Sequence, residues 1–418
     1  MANLWKVHLE VKKEGYAHVS RSLINAALSH ANNVQEFNLG LFRSDYMAHV
    51  DQSEPQPSVK QVELNTIASS FGGLSSKVSG LHKHLKAIDA YPDSLSSILS
   101  DSSLPPSTSV PSLARGMFEA HQAYGRSKSG LPTCVIFLVQ DPERNVFDQR
   151  HLEYALNGNH GVRSFRLPFG RVLSDTKVSE EDRSLVYTPP SIPDKQYEAT
   201  LIYIRAGYAP TEYEDQKAWD ARLHLERSAA IKCPSVLLQL AGTKKVQQVL
   251  ATPHSPHLKR FLPDEKQAEE VLKTFAPIYP LDKSKAGIEA RKLATNPETA
   301  QRYVMKPQRE GGGNNVYRKA IPDTLNGLPE SQWPAYILME MIEPPEQSNV
   351  IFRNGELQRG GVICELGIYG ACVWTQGKLD GKREILENFE AGYLLRTKGD
   401  SSEEGGVSRF STLQNYVN

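Results

Sequence analysis

The stretch Lys306-Pro307-Gln308-Arg309-Glu310-Gly311-Gly312-Gly313-Asn314-Asn315 decides how the rest of the chain is read. It follows Tyr303-Val304-Met305, a short apolar run that predicts a strand, and each of its parts suits a nucleoside triphosphate. The Lys306 ammonium neutralises phosphate oxygens, and Glu310 offers a hard oxygen ligand for Mg²⁺. The three glycines let backbone amides close on phosphates where a Cβ would clash. A flexible hairpin turn with charged flanks would also contain Gly-Gly-Gly. It is the lysine, glutamate and paired asparagines at these spacings that favour the phosphate reading.

Together these residues resemble the glycine-rich loop of the eukaryotic glutathione synthetase family, which are ATP-grasp ligases. Further blocks agree in the same order: Phe42-Arg43-Ser44-Asp45-Tyr46-Met47, Glu63 to Gly73, Glu143 to Gln149, Gln239 to Gln248, Tyr336-Ile337-Leu338-Met339-Glu340 and Leu394-Leu395-Arg396-Thr397-Lys398. The resemblance runs from about Leu41 to Val407. It implies an α/β ATP-grasp fold with an inserted small α/β substrate-binding domain and a glycine-rich lid. On that basis residues 1–130 are expected to form the N-terminal part of the ATP-grasp body, 131–245 the substrate-binding domain, and 246–418 the rest of the body and the lid.

Composition narrows the class independently. At 418 residues the chain can bury a large core in two or three domains. Lys plus Arg and Asp plus Glu both number 48, so a net charge of zero gives no electrostatic case for nucleic acid or a membrane surface. No apolar run reaches the length of a membrane span, and the first residues lack the apolar core of a signal peptide. Cys134, Cys233, Cys364 and Cys372 are scattered without Cys-x-x-Cys spacing, which predicts free thiols in a reducing cytoplasm. The Gly-Lys-Ser/Thr ending of a phosphate-binding P-loop and the catalytic-loop motifs of protein kinases are both missing.

Residues 16–30 predict an amphipathic helix. Arg43 suits bidentate recognition of a carboxylate, although an arginine two residues from an aspartate also describes a structural ion pair. Val62 to Thr66 predicts a strand end, with Glu63 and Asn65 on one face. One anionic and one neutral oxygen ligand suit Mg²⁺; an exposed strand face is the alternative. Residues 92–113, rich in Ser and Pro, predict a connector, and Gly116 to Tyr124 a helix. Cys134 to Val139 is wholly apolar and predicts a buried parallel strand whose carboxyl end delivers Glu143 to Gln149. Residues 171–198 predict a surface hairpin. Thr200 to Ile204 predicts a strand leading into Arg205, and Trp219, Leu223 and Ala230 mark a helix face whose charged residues face solvent. His254 to Lys285 is expected to pack as helices. Tyr336 to Ile342 and Val362 to Leu366 predict strands, the second carrying Glu365 as a metal or ribose ligand or as a buried structural glutamate.

The family resemblance implies further roles. ATP would be held by Glu63, Lys244, Lys306, Gln308, Glu310, Gly311, Gly312, Gly313, Asn314, Asn315, Tyr317, Met339, Glu340, Met341, Ile342, Glu365, Lys398 and Glu404. Backbone groups of the Met339 strand would read the adenine edge. The dipeptide site would comprise Arg43, Ile67, Ala68, Ser69, Ser70, Glu143, Arg144, Asn145, Gln149, Arg205, Ala206, Gly207, Tyr208, Arg396, Val407 and Ser408. Relatives often have aspartate at Ala206 and lysine at Met341. Mg²⁺ would sit on Glu63, Asn65 and Glu310, with Arg396 and Lys306 acting in catalysis. The implied reaction joins γ-glutamylcysteine and glycine with ATP through an acyl phosphate, in a cytoplasmic homodimer. Relatives carry more residues before the Arg43 motif, and they continue Gly405-Gly406-Val407 into Ala-Ala-Gly where this chain has Ser408-Arg409-Phe410. These departures leave two alternatives: an impaired ATP- or peptide-binding pseudoenzyme, or a related ligase with another acceptor amino acid.

Overall fold

The computed structural model describes residues 37–51, 53–95, 99, 105–308, 313–353, 356–375 and 384–399. The helix expected over 16–30 lies outside them. In chain order the strands are β1 Phe37–His49, β2 Ser58–Asn65, β3 Thr133–Val139, β4 Ser164–Pro168, β5 Thr176–Val178, β6 Leu185–Tyr187, β7 Tyr197–Ile204 and β8 Ile231–Cys233. They continue as β9 Ile278–Pro280, β10 Tyr303–Pro307, β11 Val316–Tyr317, β12 Tyr336–Glu340, β13 Ser348–Arg353, β14 Glu356–Thr375 and β15 Ile385–Gly399.

These strands make three sheets. The first is antiparallel, in the order β13-β14-β1-β2, with β15 also paired to β14. The second runs β4-β3-β7-β6-β5, with β8 on β7; β4, β3, β7 and β8 are mutually parallel, and the β5–β6 hairpin adds antiparallel strands at one edge. The third is antiparallel, β11-β10-β12-β9. The whole is an α/β fold of the ATP-grasp type.

Burial explains why the apolar runs became central strands. In β3, Val135, Phe137 and Val139 face a core shared with Leu39, Leu41 and Tyr369 of the first sheet and with Leu113 and Met117 of the helix Ser109–Tyr124. The alternate residues Cys134, Ile136 and Leu138 face a second core with Ile202, Ile204 and Leu225. A strand covered on both faces needs no polar alternation. β10 and β12 behave alike, with Met305 and Leu338 on one side and Val304, Ile337 and Met339 on the other.

Several expectations needed correction. The helix Ser109–Tyr124 starts seven residues before Gly116. Pro111 sits in its first turn, where the missing amide proton has no intrahelical partner to lose. The 171–198 hairpin forms, but it joins the second sheet and buries Leu185 and Tyr187. In the helix Gln216–Arg227 the buried face is Ala221, Arg222, Leu225 and Glu226, and Ala230 lies beyond it. Its charged residues are therefore not all solvated: Arg222 and Glu226 form a buried ion pair at 3.0 Å. His254 to Lys285 contains the helix Glu265–Lys273 but also β9. All four cysteines are free, Cys134 and Cys233 buried and the other two half-buried.

Replacing Ile136, fully buried in the parallel sheet, with Ala is expected to lower unfolding free energy by about 2–5 kcal/mol. Denaturant titration of both proteins measures it.

Candidate functional site

The site begins where the buried face of β1 changes chemistry. Leu39 and Leu41 point into the core, and two and four residues further on the same face carries Arg43 and Asp45, both buried. Register places Arg43 between Asn65 and Tyr369, and Asp45 between Glu63 and Gly367, while Glu365 lies opposite Arg396 and Ile363 opposite Lys398. Glu63, Asn65, Glu365, Arg396 and Lys398 therefore share one face of the sheet with the Arg43–Asp45 pair. Arg43 donates to Asp45 through Nε at 2.6 Å and through a terminal nitrogen at 2.8 Å. Asn65 donates to Asp45 at 2.9 Å and to the Arg43 carbonyl at 3.3 Å. Arg396 reaches Asp45 at 3.2 Å and also pairs with Glu365. A Cβ on Gly367 would stand 2.7 Å from the Asp45 carboxylate and 2.8 Å from the Arg43 side chain, so only glycine leaves room for the pair.

The turn after β2 is held by these arginines. Arg43 donates to the Ser70 carbonyl at 3.1 Å, and the Tyr369 hydroxyl donates to the same oxygen at 2.6 Å. From β7, Arg205 donates to the Ser69 carbonyl at 3.3 Å and to the Ser70 hydroxyl at 2.9 Å. Asp148 accepts the amides of Phe71, Gly73 and Leu74 at 2.9, 2.8 and 3.1 Å, capping the helix Gly72–Ala87 from another element. Ala68 and Phe71 are thereby kept at φ 51° and 74°, in the left-handed region.

The carboxyl ends of β3 and β7 supply the other wall. Glu143 accepts the Asn145 amide at 2.7 Å, while its second oxygen is buried without a hydrogen-bond partner. Gln149 accepts from Arg166 at 2.7 Å, and Arg144 is exposed. Gln140 donates to the Tyr208 hydroxyl at 3.2 Å. The Glu212 carboxylate accepts the amides of Gly207, Tyr208 and Ala209 at 2.8–3.1 Å.

At the opposite end, Lys244 opens the helix Lys244–Ala251 and pairs with Glu63 at 2.6 Å. Lys306 crosses from β10 to donate to the Val62 carbonyl at 3.2 Å. Burial opposes charge on Glu63, but Lys244 and Lys306 outweigh it and hold the carboxyl well below the usual carboxylate range. Burial, only partly offset by Glu63, pushes Lys306 down to about 8. Arg396 is lowered by burial and by neighbouring Arg43, and Lys398 by burial and by Arg396. Gln308 accepts the Lys245 amide at 2.9 Å, tying the root of the glycine stretch to the lysine helix. The side chain of Glu340 accepts from Tyr279 at 2.9 Å. The Glu340 and Met341 amides pair with Pro277 and Arg302 carbonyls, each at 2.9 Å.

One cavity of about 2560 Å³ joins both ends, larger than the few hundred to thousand Å³ typical of a single small ligand. It is lined by Arg43, Glu63, Asn65, Ile67, Ala68, Ser69 and Ser70, by Glu143, Arg144, Asn145, Gln149, Arg205 and Tyr208, and by Lys244 and Lys306. Gly313, Asn314, Asn315, Tyr317, Met339 to Ile342, Glu365, Arg396 and Lys398 also line it. Ala206, Gly207 and Gln308 do not line it. Glu310, Gly311, Gly312, Glu404, Val407 and Ser408 lie outside the described residues.

The model for "Eukaryotic glutathione synthase, ATP binding domain" matches residues 1–416. The chain belongs to this family. Over 420 residues it is 39% identical to the glutathione synthetase large chain of Schizosaccharomyces pombe, covering 98% of this chain and 78% of that one. It is 37% identical over 410 residues to human glutathione synthetase, with 97% and 76% covered. A glutathione synthetase-like effector from Globodera pallida, 20% identical, shares the fold with a TM-score of 0.70, covering 95% of this chain and 80% of that one.

For a glutathione synthase family member the donor set near Glu63 is informative. Both neighbours of the Asn65 amino group are acceptors, so its Oδ1 remains for a ligand. An ionised carboxylate beside a fixed amide oxygen fits Mg²⁺, which keeps few protein ligands and shares phosphates. Among the described residues no group of three His, Cys, Asp or Glu could hold a metal without such help. Sequence reasoning gave no site role to Asp45, Asp148, Glu212 and Tyr369. For Asp45 the signal was present, because it alternates with Arg43 on an otherwise apolar strand face.

A lysine that neutralises phosphate would have to carry its proton, and burial pushes Lys306 down to about 8. ADP affinity, read by calorimetry, is expected to fall as pH rises from 7 to 9.5. Lys306→Gln should bind more weakly and lose that dependence.

Proposed function

We propose that this chain joins γ-glutamylcysteine to glycine at the expense of ATP, giving glutathione, ADP and phosphate. The observation that carries the reading is the single cavity with lysines at one end and the arginine-clamped turn at the other. Membership of an ATP-binding synthase family supports it. In this reading residues 131–245 are the substrate-binding domain, and 1–130 with 246–418 form the ATP-grasp body.

The cysteinyl carboxylate of the dipeptide attacks the γ-phosphorus, giving an acyl phosphate and ADP. The glycine amine then adds to the acyl carbon, and phosphate leaves as the amide forms. No protein nucleophile is required; the chain positions reactants and neutralises charge. Lys244, Lys306 and Lys398 screen phosphate oxygens. Arg396 faces the charge on the transferring group and on the tetrahedral adduct. Arg43, Ser70, Glu143, Arg205 and Tyr208 orient the dipeptide, with the unpaired Glu143 oxygen suited to an ammonium. Glu63, Asn65 and Glu310 would hold Mg²⁺, which supplies further neutralisation of the phosphates when bound.

ADP and glutathione measured together in one reaction test the reading; nucleotide binding without glutathione would overturn it. Glu63→Gln is expected to lower kcat roughly 100-fold and, because the anion facing the buried Lys244 and Lys306 is lost, to lower the melting temperature as well.

The assembly and setting belong to the same proposal. Free cysteines suit a reducing cytoplasm, and no described helix is long and apolar enough to cross a membrane. Phe147 and Tyr154, seven apart on the helix Val146–His160, are 74% and 64% exposed and suit a homodimer contact. Light scattering of Phe147→Asp should then give a smaller species than the parent.

A further inference from the structure

We propose that Asp45 is a positioning residue for the ligation, setting the Asn65 amide and the Arg396 guanidinium from behind the cavity wall. This rests on the reading of Asn65 as a Mg²⁺ ligand.

Asp45 has no exposed surface and does not line the cavity, so it touches no substrate. Its two oxygens accept from Arg43 twice, from Asn65 once and from Arg396 once. Three of these four donors, one each from Arg43, Asn65 and Arg396, converge on Oδ2, which ties the three side chains to a single oxygen. Two of the donors come from residues whose free atoms face the reactants. Asn65 has a terminal amide that can rotate by half a turn. With Asp45 and the Arg43 carbonyl both accepting, only one rotamer satisfies it, and that rotamer leaves oxygen for a cation. Reversed, the amide would present N–H groups to the metal and repel it.

Arg396 is held in the same way. It is about one-third exposed and bridges Asp45 and Glu365 across two strands. Both contacts are made by one terminal nitrogen of Arg396, so two carboxylates on different strands pin that end of the guanidinium where the Glu365 contact alone would let it swing. Outer partners of this kind orient the groups that touch a metal or substrate. Gly367 is the fold's concession to the arrangement, since any side chain there would displace Asp45.

The test uses Mn²⁺ as a paramagnetic stand-in for Mg²⁺, with affinity for the ADP complex read by EPR, alongside steady-state kinetics on the full chain. Asp45→Asn should lower Mn²⁺ affinity at least fivefold and kcat at least tenfold, with the KM for ATP within about threefold of the parent. Should that variant not fold, the Arg43→Met, Asp45→Leu double variant removes both buried charges together, a change that folds tolerate far better than loss of one partner. Compared with the parent, the double variant should show the same loss in Mn²⁺ affinity, the quantity that Arg43 does not set directly. Retention of Mn²⁺ affinity within twofold in whichever of the two variants folds overturns the proposal and leaves Asp45 as the structural partner of Arg43. Asn65→Ala separates the underlying reading. If it leaves Mn²⁺ affinity unchanged, Asn65 is not a ligand. If it weakens Mn²⁺ binding while the Asp45 variants do not, only the positioning role fails.

Discussion

A carboxylate buried against two guanidiniums is the constraint around which this structure is arranged. Taking charges out of water costs several kcal/mol each unless geometry and hydrogen bonding are nearly complete. The Arg43–Asp45 pair meets that condition with neighbours drawn from far along the chain: Asn65 from β2, Ser70 from the turn, Arg396 from β15 and, by its absence of a side chain, Gly367 from β14. Those partners can meet only if β1 lies between β2 and β14 in the observed register. The buried pair therefore helps specify strand order as well as furnishing the site, because a register slip of one residue would send it to the other face.

The turn from Thr66 to Gly72 shows how rigidity is achieved where the backbone is least comfortable. Two non-glycine residues with positive φ would not persist in isolation. Arg43, Arg205 and Tyr369 grip its carbonyls, and Asp148 grips the amides at its far end. Those contacts also bind the first sheet to the second. Strain and inter-sheet cohesion are thus the same set of hydrogen bonds seen from two sides, and the arginine-clamped end of the cavity is formed before anything enters it.

How much of this could be read beforehand follows from what each signal reports. β3, β10 and β12 were legible because burial on both faces leaves a continuous apolar run, and a run of strand length between polar segments is what a central strand requires. Glu63 and Asn65 on one face followed from strand alternation alone, and the cavity does contain both. The early start of the helix at Ser109 was hidden by Pro111, which marks a boundary in most contexts but fits a first turn. Arg222 and Glu226 read as solvated because charge spacing reports helical pairing and not burial. Gln308 illustrates a subtler gap: it lies in the glycine stretch, yet its carbonyl serves the Lys245 amide. Membership of a stretch with a phosphate-binding pattern does not say which way a side chain turns.

The cavity walls come from three separate sheets. Lys306 donates from β10 to the backbone of β2, and Lys244 clasps Glu63 from its own helix. Anything that fills the space and contacts all three walls acts as a removable internal cross-link. By mass action, a ligand present at a hundred times its dissociation constant adds about 2.7 kcal/mol to the folded state. That is comparable to the loss from removing a buried aliphatic side chain. Resistance of this fold to heat or proteases is then partly a property of its surroundings, rising and falling with the supply of the molecules it binds.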